Sequence, residues 1–167
     1  MKNEYWAISR NAPEMLRRVH AEHPNFLATQ ITQLHKFLIA CCWKHEHLIP
    51  QQSLRDGLVG AEKWLAGDLP KDELLRLERY AEGEAFMLDY AKTDEELAEL
   101  AEMVRGIPQL DGMEFEEARE LMKDAAYFTD GAIIYSMFRR LPWVPYLLTS
   151  SFLCPDLLRE YIEPVFD

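Results

Sequence analysis

The residues with the most reactive side chains lie together in Phe37–His47, FLIACCWKHEH. Cys41 and His45 are four apart, so on a helix they share a face. That spacing holds one side of a zinc ion, but a structural zinc site needs four ligands. Cys154, His20 or His23 would have to complete it. The metal reading therefore rests on Cys41, Cys42 and His45 and would make the protein a metal-dependent enzyme. A nucleophilic thiol is a weaker reading. A reactive cysteine needs a helix N-terminus or a nearby cation to stabilise its thiolate. Cys41 and Cys42 fall in the second half of their predicted helix, where the dipole disfavours negative charge. Buried cysteine packs as a small hydrophobe. The pair reads as core, with His45 a core histidine making one hydrogen bond.

No other motif assigns chemistry. Cys-x-x-Cys, His-Glu-x-x-His, Glu-x-x-His, the phosphate-binding loop and the Gly-x-Ser-x-Gly elbow do not occur in the sequence. Gly57-Leu-Val-Gly60 falls inside a predicted helix and carries no phosphate-loop logic. No catalytic residue and no cofactor is assigned, and a non-enzymatic protein is the expectation.

Charge offers more. The chain carries a formal −11 over 167 residues. Such a surface repels nucleic-acid phosphates and anionic membranes, and attracts basic proteins. The acidic residues crowd into 93–124, where only Arg105, Arg119 and Lys123 oppose them. Glu95, Glu96, Glu99, Glu116, Glu117 and Glu120 are the candidate partner-binding residues. If their two helices pack antiparallel, the outer faces join into one negative surface that steers a cationic partner. Reversing Glu95, Glu99, Glu116 and Glu120 to Lys is then expected to abolish capture of a basic partner while the fold survives.

The elements that must position these groups are helices. The composition is 49% hydrophobic and 28% charged, which is globular. Gly is scarce and Leu, Ala and Glu outnumber Val, Ile and Thr, which favours helix over strand. Asn11 caps a helix over about 12–23. A second runs from Asn25 to about Leu48 with a wide apolar stripe, suited to the middle of a bundle. Ser53 opens a third, which Gly67 ends. A fourth covers about 71–91, with Leu74, Leu77, Ala81, Ala85 and Leu88 inside. Thr93-Asp-Glu-Glu96 is a capping box for a fifth over about 94–105. A sixth begins near Glu114, and Thr129-Asp-Gly131 either breaks it or is tolerated within it. A short helix from Asp156 to about Ile162 closes the chain. No segment alternates like a strand. The expectation is an all-α fold: a single bundle-like domain over 1–167 with six to eight helices and short connections.

Three cysteines with one vicinal pair make a poor disulfide framework, and MKNEYWAISRN lacks the apolar core of a secretory signal. A cytoplasmic protein is expected. LPWVPYLLTSSFL is too short and proline-rich to span a bilayer. The aromatic run from Phe138 to Leu148 has two readings: it closes the open end of the bundle, or it is the interface of a structural homodimer.

The stretch from Leu38 to Glu84, LIACCWKHEHLIPQQSLRDGLVGAEKWLAGDLPKDELLRLERYAEGE, resembles a pattern in uncharacterised helical bacterial proteins of the immunity-protein type. The shared features are a Cys-Cys-aromatic-basic helix, a Leu-Arg opening, Ala-Glu-x-Trp and a Gly. PDLLREYI near the C-terminus also resembles their last helix. The resemblance implies an all-helical fold and a role in neutralising a toxin. It implies no catalytic residues.

Overall fold

The computed structural model describes residues 3–137 and 144–163. Their regular secondary structure is all helical, without a strand among them. The segments are α1 (Asn3–Ile8), α2 (Ala12–Glu22), α3 (Phe26–Thr29), α4 (Ile31–Lys44), α5 (Gln52–Leu65), α6 (Lys71–Tyr90), α7 (Asp94–Arg105), α8 (Phe115–Ile133), α9 (Val144–Leu147) and α10 (Pro155–Tyr161). Short 3-10 turns follow α4 and α7. No helix among the described residues is long and apolar enough to cross a membrane.

The caps explain most boundaries. Asn11 Oδ1 accepts from the Glu14 N–H at 3.0 Å, starting α2 beside Pro13. Thr93 and Glu96 form the reciprocal capping box of α7. Gly67 adopts a φ of +82°, and the N–H groups of Gly67 and Asp68 bond back to Trp64 and Lys63. That is a Schellman closure of α5, which only glycine enters without strain.

Four helices make the core. α4 is buried on nearly every side through Leu34, His35, Phe37, Leu38, Ile39, Cys41 and Cys42. It packs on α5, α8 and α10, while α5 and α6 form a long hairpin that also lies against α8. Two glycines let α5 approach. A Cβ on Gly57 would lie 2.4 Å from Ile133 Cδ1 of α8, and one on Gly60 2.5 Å from Leu77 Cδ1 of α6. The Gly57–Gly60 pair thus has a packing role that its sequence reading missed.

Arginines close other helix ends. Arg119 of α8 donates from Nε to Leu88 O at 2.7 Å and from a terminal nitrogen to Asp89 O and Ala91 O. Its guanidinium so satisfies the last carbonyls of α6 and offsets their dipole. Arg159 of α10 bonds Trp6 O and Ser9 O at the end of α1.

Several details differ from the sequence reading. The second predicted helix is interrupted at Gln30 and ends at Lys44, giving α3 and α4. Its His45 C-cap leads into the 3-10 turn Glu46–Leu48. α5 begins at Gln52 with Gln51 at its N-cap, because the Ser53 hydroxyl instead donates to Tyr80 O on α6. α8 runs unbroken through Thr129–Gly131: the Thr129 hydroxyl bonds Ala125 O within the helix, and Gly131 is buried. Of the aromatic run, 138–143 lies outside the described residues. Beyond it, Leu147, Phe152 and Leu153 are buried while Tyr146 is exposed.

Candidate functional site

The sulfur-and-imidazole stretch is built as packing. Cys41 and Cys42 are 0% and 2% exposed. Burial pushes both thiols up, Cys42 to about 12, opposite to what a nucleophile needs. Cys41 Sγ accepts from the Cys154 N–H at 3.4 Å, whereas Cys42 faces Thr129. His45 donates from Nδ1 to Cys41 O at 2.9 Å and stacks edge-on to Phe152. The three side chains thus point to different neighbours. His35, two turns earlier, is fully buried and neutral. Desolvation pulls its pKa to about 4, Nε2 donates to Ile133 O at 3.1 Å, and Nδ1 accepts from Ser136 Oγ at 2.8 Å.

The six candidate glutamates lie on α7 and on the first turns of α8, and these helices pack together. Glu95, Glu99, Glu116, Glu117 and Glu120 are exposed. Glu96 is half-buried and committed to the capping box, accepting from the Lys92 and Thr93 N–H groups. Glu120 pairs with Lys123 at 3.0 Å, and Glu116 reaches Arg119 at 3.8 Å. The Arg119 fork is spent on α6 carbonyls, so its contact with Glu116 is the longer of the two ion pairs.

A second acidic group lies elsewhere, where α6 meets the middle of α8. Carboxylate oxygens of Glu78, Glu82 and Asp130 all lie within 4.8 Å of one another. Glu78 sits on the buried stripe of α6, between Leu74 and Ala81, and is only 7% exposed. Its hydrogen-bond partners are the carboxyls of Asp130 and Glu82. Asp130 Oδ1 is sealed from solvent without a hydrogen-bond partner among the described residues. Two carboxyls in contact must share a proton or a cation, since like charges at that range disfavour joint ionisation. Accordingly desolvation, reinforced by the facing Glu78 carboxyl, pushes Asp130 up to about 9, and desolvation also raises Glu78.

These carboxyls line a cavity of about 990 Å³. α6 contributes Glu78, Arg79, Glu82 and Phe86. α8 contributes Asp124, Tyr127, Phe128 and Asp130, and the 146–152 stretch closes the far side with Leu147 and Phe152. The rings cluster: Phe86 lies 5.9 Å from Tyr127, and Phe128 5.6 Å from Phe152. Tyr127 is fixed by its hydroxyl donating to Asp89 Oδ2 at 3.0 Å. Arg79, at the mouth, is the cation among these lining residues. Carboxylates at the base of aromatic walls suit a positively charged group carried on an apolar stem.

Sequence reasoning missed this site. The available signal was Glu78 itself: a charged residue where the stripe Leu74–Ala81–Ala85–Leu88 demands an apolar one. Asp130 was hidden in the ambiguous Thr129–Gly131 segment.

No family model, curated protein or solved structure matches this chain.

Proposed function

We propose that the protein is a non-enzymatic binding protein, immunity-like in logic, that captures a basic protein partner. A lysine or arginine of the partner enters the α6–α8 cavity and replaces the proton shared by Glu78 and Asp130. The observation that carries this reading is the nearly buried Glu78, whose partners are other acids, at the base of an aromatic-walled cavity. The exposed glutamates of α7 and α8 speed the encounter, a role that raises association rates by about 10- to 1000-fold in charged systems.

The test is an NMR titration with a short Gly/Ser peptide carrying one central arginine, compared with its neutral citrulline counterpart. The arginine peptide is expected to shift resonances of Tyr127, Phe128 and Gly131. Citrulline, Glu78→Gln and Asp130→Asn should each weaken binding at least tenfold. Equal binding of both peptides would refute the cavity reading.

A second reading is a divalent cation held by Glu78, Glu82 and Asp130, favoured by their close mutual distances. Calcium, magnesium and manganese titrations separate it. A thermal upshift with metal that is lost in Asp130→Asn supports the ion over the side chain.

A further inference from the structure

α6 presents two unlike faces. One is buried through Leu74, Glu78, Ala81, Ala85 and Leu88. The opposite face bears large apolar side chains in water: Tyr80 is 61% exposed, Met87 50% and Tyr90 64%. One line of outward positions, with the exposed Asp72 and Arg79 beside it, runs Glu73, Arg76, Tyr80, Gly83, Met87 and Tyr90. Their spacing is 3, 4, 3, 4 and 3, the seam of a helix that packs along a second helix. Gly83 lies at its centre, in mid-helix, with nothing within 4 Å of where a Cβ would stand. Glycine is among the poorest residues for an exposed helix interior. Neither a turn nor an internal neighbour requires it there, whereas a close helix approach does.

We propose that this face docks a second copy of the chain, with the two α6 helices antiparallel and Gly83 on the twofold axis. The sequence is self-complementary in that register, as an isologous contact requires. Gly83 meets Gly83, allowing the backbones to close. Tyr80 meets Met87 of the second copy, a ring–thioether contact. Arg76 meets Tyr90, a cation–π contact. Glu73 meets Lys92, an ion pair just beyond the helix end. Each pair occurs twice by symmetry. Arg76 already pairs with Glu73 and lies 5.7 Å from the centroid of the Tyr80 ring, so its guanidinium is at the seam. The net charge of −11 holds two copies apart in general; the paired seam positions instead carry one acidic side chain, Glu73, and two basic ones, Arg76 and Lys92, per copy. The surface adjoins the carboxylate cavity, which opens on the flank of α6 marked by Arg79, Glu82 and Phe86: the Phe86 ring on the cavity wall lies 6.0 Å from the Tyr90 ring of the seam.

Light scattering on the purified full chain is the test. Wild type is expected at twice the 19.6 kDa chain mass. Tyr80→Glu with Met87→Glu should give the single-chain mass with helical circular dichroism retained. Glu73→Lys should weaken the dimer, and adding Lys92→Glu should restore it. A cross-link tests the register at Gly83 itself, in a variant first shown by light scattering to keep the two-chain mass, since a side chain there replaces the glycine contact. In a Cys154→Ser background, Gly83→Cys should form an interchain disulfide far faster than Glu117→Cys on α8. A single-chain mass for wild type would overturn the proposal, as would Gly83→Cys cross-linking no faster than the Glu117 control.

Discussion

At the scale of single residues, the chain places several polar groups where apolar ones would fold more simply. Gln51 is 6% exposed, and neither its amide oxygen nor its nitrogen has a partner among the described residues. An unsatisfied buried polar group costs about 1–3 kcal/mol. Gln51→Met, similar in shape, is therefore expected to raise the melting temperature by several degrees in a thermal scan; a fall would show that the amide is satisfied in solution. Asp130 makes the opposite point. Burial and the facing carboxyl make the folded protein keep a proton on the Glu78–Asp130 pair well above the usual carboxylate range, whereas unfolded carboxyls lose theirs near about pH 4. The native state thus binds more protons over that window, and stability falls as pH rises, by at most about 1.4 kcal/mol per pH unit. His35 acts in the other sense: held neutral down to about 4, it destabilises the fold as pH drops below its ordinary 6.5. The two slopes oppose each other between about 4 and 6.5, leaving the carboxyl pair to dominate above that. Denaturant melts from pH 6.5 to 9 should show declining stability in wild type and a flatter profile in Asp130→Asn. Equal slopes would mean that the pair ionises freely.

At the scale of elements, legibility followed the caps and the apolar stripes. The Thr93–Glu96 box, the Asn11 cap and the Gly67 closure were readable because each is a local hydrogen-bond pattern. The breaks at Gln30 and His45 were not, since no proline or glycine marks them. Ser53 misled because its hydroxyl is spent on a carbonyl of α6 rather than on its own helix. Glu78 and Asp130 were invisible as a pair: 52 positions apart in the numbering, they meet only once α6 crosses α8. The glycines of α5 likewise gained meaning only from neighbours. Gly57→Ala is expected to cost about 1–3 kcal/mol by overpacking against the fully buried Ile133. Gly60→Ala should cost less, because the methyl it meets is the end of the half-buried Leu77 side chain rather than of a fully buried one. Urea melts of the two variants check the order; equal losses would contradict the packing.

At the scale of the whole molecule, acidity is distributed between two places with different physics. The glutamates of α7 and α8 stand in water, where screening by salt weakens them. Glu78 and Asp130 are shielded and gain far more from a cation that reaches them. Reversing Glu95, Glu99, Glu116 and Glu120 to Lys is therefore expected to slow association with a cationic peptide and to reduce its salt dependence, with little change in dissociation. Stopped-flow kinetics would show it; an unchanged on-rate would mean that the outer face takes no part in the encounter.

A cation that takes the place of a buried proton releases that proton, and calorimetry counts the exchange. Titrating the arginine peptide at pH 7 in buffers of different ionisation enthalpy should reveal close to one proton released per peptide bound, and none in Asp130→Asn. Binding that releases no proton in wild type would mean that no cation replaces the proton of the Glu78–Asp130 pair.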